Sequence, residues 1–154
     1  MEYINHFLYP GELLVSRKPV KVTTILGSCV AVCLFDPVSR IGGINHYMLP
    51  TWNGRGLSSP RYGNIAIERL WNKMQSLGAS HNTVQAKIFG GAEVIMHSTN
   101  HLKVGARNIT IARQMLEEMN ISIVSSSTSG LLGRKILFFT DTGKVLHRFI
   151  QKTT

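Results

Sequence analysis

The chain has 154 residues, 44% of them hydrophobic and 16% charged. A chain of that size buries roughly two thirds of its unfolded surface, so neither intrinsic disorder nor a disulfide-stapled miniature fits. Seventeen Lys and Arg against eight Asp and Glu leave a formal charge of +9, which draws the chain towards acidic surfaces.

The basic residues are scattered and no nucleic-acid-binding motif accompanies them, so either a solvated basic surface or an acidic protein partner is expected, not nucleic acid. Residues 1–10 have no basic n-region and no apolar core, so no signal peptide is expected. No window approaches the ~18 apolar residues of a membrane span. The expected location is the cytoplasm, with Cys29 and Cys33 both reduced.

In chain order, residues 13–15 and 20–25 predict short strands. Residues 30–35 (VAVCLF) predict a strong strand, stopped by Asp36-Pro37, and residues 41–49 a second one ending at Pro50. Residues 51–63 are rich in Gly, Ser, Pro and Arg and predict a surface loop. Residues 64–77 predict a helix, with Ile67, Leu70, Trp71, Met74 and Leu77 on one face and Gly78 as its stop. Residues 84–89 predict a strand leading into Gly90-Gly91, for which a tight turn is the default reading. Residues 108–119 predict a second amphipathic helix. Residues 121–124, 136–139 and 145–150 predict strands, with a hairpin turn at Asp141-Thr142-Gly143. Eight strands and two helices, with strands at both ends, suit either an α+β fold or a layered α/β sandwich.

The informative segment is the hairpin around Asp36-Pro37-Val38-Ser39. A turn centred there opposes residues whose numbers sum to 75, and this pairs Cys29 with His46. Directly opposed Cβ atoms lie about 4.5–5.5 Å apart on one face. A thiol beside an imidazole is a nucleophile with its base. Gly27 and Ser28 let the backbone approach closely, and they are candidate substrate and oxyanion positions together with the Cys29 N–H. The same two side chains also suit the core of a half-buried hairpin, and a one-residue slip of register would send them to opposite faces.

Cys29 and Cys33 are too far apart along a strand, about 13 Å, to share one zinc, so no metal is expected and Cys33 reads as a small core residue. His97 and His101 read as surface or loop histidines, as do His6, His81 and His147.

Leu26-Gly27-Ser28-Cys29-Val30, Cys33-Leu34-Phe35-Asp36-Pro37 and Gly42-Gly43-Ile44-Asn45-His46-Tyr47-Met48-Leu49-Pro50 resemble the chemoreceptor glutamine deamidase family CheD. The likeness runs on through Arg61-Tyr62-Gly63, Ala86-Lys87-Ile88-Phe89-Gly90-Gly91-Ala92, Gly105-Ala106-Arg107-Asn108 and Gly133-Arg134-Lys135, in the family's order. The family's Thr-Gly-Gly is Thr128-Ser129-Gly130 here, and its following Asn-Tyr is Leu131-Leu132. The resemblance implies one domain over residues 1–154 with a three-layer α/β/β sandwich and no cofactor. It implies hydrolysis of receptor glutamine side chains to glutamate with release of ammonia. The family's nucleophile falls on Cys29, its general base on His46 and its third member, a Thr, on Thr23, with adjacent Thr24 as the fallback. The implied partners are the cytoplasmic helices of chemoreceptors and the CheC phosphatase. The alternative function is an adaptor that regulates CheC by docking.

Overall fold

Residues 30–35 show no polar alternation because both faces of their strand are covered. In the computed structural model, which describes residues 2–93 and 103–151, Val30, Val32 and Leu34 face one apolar cluster while Ala31 and Cys33 face another. A strand sandwiched in this way reads as a continuous hydrophobic run.

The described residues form β1 (Ile4–Phe7), β2 (Leu13–Ser16), β3 (Val20–Leu26), β4 (Val30–Asp36), β5 (Ile41–Asn45), α1 (Gly63–Ser76), β6 (Gln85–Gly90), α2 (Val104–Glu118), β7 (Ser122–Thr128), β8 (Arg134–Phe139) and β9 (Val145–Phe149). A four-stranded sheet has the order β1-β3-β8-β9, and a five-stranded sheet the order β2-β5-β4-β6-β7. Pairing is antiparallel except for β1 with β3 and β6 with β7.

The helices lie on one face of the five-stranded sheet. Ile67, Leu70, Trp71 and Met74 of α1 and Ala112 and Leu116 of α2 pack there against β4 and β6. The other face meets the four-stranded sheet through Val22, Leu26, Cys33, Ile44, Phe89, Ile136 and Phe138. Each fully buried Leu, Ile or Phe of these layers stabilises the fold by about 1.5–3 kcal/mol. The architecture is therefore the three-layer α/β/β sandwich, which decides between the two fold classes that the strand pattern left open.

Three local expectations need correction. Strand β1 was not foreseen: its residues are all exposed on a sheet edge and carry no apolar alternation. Helix α2 starts at Val104, four residues before the predicted start at Asn108. The β4–β5 hairpin pairs residues whose numbers sum to 77, not 75, with Asp36 opposite Ile41 and Cys33 opposite Ile44. The cause is Pro37. Two-residue hairpin turns need a positive φ at their first central residue, which the proline ring forbids. The loop therefore takes four residues, 37–40, and closes with Arg40 in the left-handed region and its N–H on the Asp36 carbonyl. The Asp36 carboxylate braces the loop, accepting from the N–H groups of Val38, Ser39 and Ser80 and from the Thr83 hydroxyl. These bonds hold it below the usual carboxylate range, against the opposing effect of burial.

Candidate active site

The shift of register by one residue pair keeps Cys29 and His46 on the same face but removes the direct opposition. His46 now falls opposite Ala31, and Cys29 opposite Met48. The two become diagonal neighbours, about 7–8 Å apart in a regular ladder and within reach of long side chains. Neither residue lies inside a strand: Cys29 precedes β4 and His46 follows β5. The ladder opens here because Asn45 accepts the Val32 N–H with its own side-chain Oδ1 at 2.8 Å. It closes once more at an isolated pair, Val30 with Tyr47.

His46 is 2% exposed and sits at the seam between the two sheets. Its Nδ1 lies 2.7 Å from Thr24 Oγ1, and the same hydroxyl donates to the Leu8 carbonyl at 2.7 Å. A hydroxyl has one proton to give. A carbonyl only accepts, so that proton goes to Leu8 and Thr24 accepts from Nδ1–H. This fixes the tautomer: Nε2 carries the lone pair. Nε2 is buried and has no hydrogen-bond partner among the described residues, so no hydrogen bond joins it to the Cys29 thiol. Burial pushes the imidazole down to about 4, which keeps the ring neutral at pH 7.

The threonine at the ring is Thr24, the fallback, and not Thr23. Strand β3 alternates with Val22, Thr24 and Leu26 buried towards the other sheet. Thr23 lies between them, half-buried on the opposite face, and its carbonyl accepts from the Leu8 N–H.

The Cys29 loop is held by its carbonyls. Gly27 O accepts from the Ala92 N–H at 3.0 Å and Cys29 O from the Gly91 N–H at 2.9 Å. Ser28 O accepts from Asn108 Nδ2 at 2.9 Å. The Gly90-Gly91 pair makes this possible: both have positive φ, and a Cβ on Gly90 would lie 2.3 Å from Cys29 O. Among the described residues no carbonyl accepts from the N–H of Ser28 or Cys29. Burial pushes the half-buried Cys29 thiol up, with its own backbone N–H opposing. Thiol and imidazole are thus both neutral at rest.

Cys33 is packed in the inter-sheet cluster, and burial raises its thiol strongly. His97 and His101 lie outside the described residues. Sequence reasoning gave Gly90-Gly91 a turn, with a phosphate cradle as the weaker reading, and gave neither that pair nor Asn108 a part in the site beyond the family likeness. Both act across the fold, where local patterns carry no signal.

Fold and site together define an α/β/β sandwich with a cysteine and a neutral histidine at the inter-sheet seam. The model of the family described as CheD chemotactic sensory transduction matches residues 48–149. A Sulfurimonas denitrificans protein named probable chemoreceptor glutamine deamidase CheD is 44% identical over 154 residues, covering 99% of both chains. A Trichlorobacter lovleyi protein of the same name is 47% identical over 142 residues, covering 92% of this chain and 88% of that one. The crystal structure of the Bacillus licheniformis hypothetical protein YfiH is similar in fold, with TM-score 0.50 at 15% identity over 77% of this chain and 51% of that one. The chain belongs to the CheD family. No described helix is long and apolar enough to cross a membrane.

Proposed function

We propose that this protein hydrolyses the side-chain carboxamide of glutamine residues in chemoreceptors, giving glutamate and ammonia through a thioester on Cys29. The observation that carries this reading is the orphaned, unprotonated Nε2 of His46 on the same face as the Cys29 thiol. A buried acceptor without a partner is costly, and a catalytic role is one reason for a fold to keep it. The names of the Sulfurimonas and Trichlorobacter relatives support the substrate class.

In this mechanism Nε2 takes the thiol proton as sulfur attacks the carboxamide carbon. The N–H groups of Ser28 and Cys29, to which no carbonyl of the described residues is bonded, are candidate donors to the developing oxyanion, with Gly27 giving the loop its close approach. The imidazolium returns its proton to the departing ammonia. Nε2 then deprotonates water against the thioester, and the glutamate leaves. Thr24 keeps the ring in the productive tautomer throughout.

Along the hairpin no acidic side chain flanks the pair until Asp36, whose carboxylate is already bonded to the loop. Outside the hairpin Glu12, whose carbonyl accepts from the His46 N–H, and Glu93, which follows Ala92, have their carboxylates engaged by the N–H groups of Tyr9 and Ala106. A free amino acid would need such a charge for its α-amine, so the site suits a carboxamide presented on a larger body. The charge of +9 favours an acidic body, and docking to a CheC phosphatase belongs to the same proposal. The test is the intact mass of a purified receptor cytoplasmic fragment after incubation. Unsubstituted protein should produce the gain of an amide-to-acid conversion, and Cys29→Ala should produce none. Conversion by Cys29→Ala would overturn the proposal.

A further inference from the structure

Asn108 lies on α2 and is fully buried. Its Nδ2 donates to Ser28 O at 2.9 Å and to Met48 O at 3.0 Å. Both acceptors are main-chain carbonyls, so the amide must present its NH₂ to them; the chemistry of the partners fixes its orientation. Ser28 immediately precedes Cys29, and Met48 follows His46 by two residues. One side chain therefore spans the two loops that carry the thiol and the imidazole, and it does so from a helix that belongs to neither sheet.

The backbone does not do this work. Val30 and Tyr47 exchange both main-chain hydrogen bonds, so an antiparallel ladder would form its next rung between Ser28 and Leu49. There the Leu49 N–H donates to the Arg61 carbonyl instead, and the Leu49 carbonyl accepts from the Gly63 N–H. Asn108 supplies the missing rung. The helix is anchored to the same place twice more. The Tyr47 hydroxyl donates to the Asn108 carbonyl. Gly105 packs so closely that a Cβ there would lie 2.5 Å from Gly91 O, beside the N–H that holds Cys29.

We infer that Asn108 is a positioning residue that sets the separation of Cys29 from His46. The inference rests on the reading of these two as nucleophile and base. Misplacing a reacting group by about 1 Å costs on the order of 100-fold in rate. Asn108→Asp keeps the shape and removes both donors; Asn108→Ala removes the whole clamp.

The experiment measures two things on each variant: turnover of a receptor cytoplasmic fragment, and the iodoacetamide alkylation rates of Cys29 and Cys33, resolved by peptide mass. The expected result is a kcat lower by about 10–100-fold with KM little changed. Cys29 should alkylate faster because its loop is loosened, while Cys33 stays protected in the core. Unchanged kcat would overturn the inference, as would unchanged Cys29 alkylation. Joint exposure of both cysteines would also overturn it, because Asn108 would then be holding the fold as a whole. If the unsubstituted protein itself converts no receptor glutamine, the functional reading fails, and the alkylation rates alone still decide whether Asn108 holds the loop.

Discussion

Replacing His46 by Asn removes the imidazole from the seam and keeps an N–H for Thr24 Oγ1. The imidazole is 2% exposed and pushed by burial from its ordinary 6.5 down to about 4. A histidine held neutral in the folded state binds its proton more readily when unfolded. Its contribution is therefore fully present above pH 6.5 and is lost as pH falls through the window from 6.5 to about 4. Between pH 7.5 and pH 5 that linkage amounts to about 2 kcal/mol. Asp36, held below the usual carboxylate range, adds a loss at lower pH, but it is common to both proteins and cancels in the comparison. Urea unfolding at pH 7.5 and pH 5 measures the difference. The unsubstituted protein should lose about 2 kcal/mol more than His46→Asn over this interval. A difference under about 0.5 kcal/mol, less than half a pKa unit, would refute a buried neutral imidazole, and with it the assignment of Nε2 as a ready acceptor.

Thr24→Val should lower receptor deamidation by about 10–100-fold, since the ring loses its orienting acceptor, whereas Thr23→Val should stay within a few-fold; the reverse ranking in a turnover assay would restore Thr23 to the role. Cys33→Ala should retain activity and lower stability by about 1 kcal/mol in a denaturation curve. Gly90→Ala should lose both activity and more than about 2 kcal/mol of stability, because its positive φ and the 2.3 Å approach to Cys29 O leave no room for a methyl group; unaltered turnover would show that the loop tolerates displacement.

The double burial of β4 was legible in its unbroken apolar run, and the two helices in their spacing. The face shared by Cys29 and His46 was legible as well, because a sum of 77 has the same parity as 75. The register was missed for a physical reason present in the sequence, the proline at the first turn position. Thr24 was also within reach. Val20 and Val22 set an alternation that carries Thr24 inward and Thr23 outward, and that alternation outweighs the family position. Asn108 and Gly90-Gly91 were not legible as parts of the site. Their contacts join residues 80 apart in one case and 62 apart in the other, and only the folded topology brings them together.

The imidazole belongs to one sheet and its hydroxyl partner to the other, so the ring works as a rivet through the seam. Sliding the sheets past each other by two residues would put Val22 or Leu26 where Thr24 stands. The ring would then be free to turn or to swap its proton between nitrogens. On the proposed mechanism Phe138 and Ile136, packed between the sheets, would bear on chemical competence as well as stability. A swollen state with every strand intact but the seam unlocked would keep its secondary structure and lose the bond between Thr24 and His46.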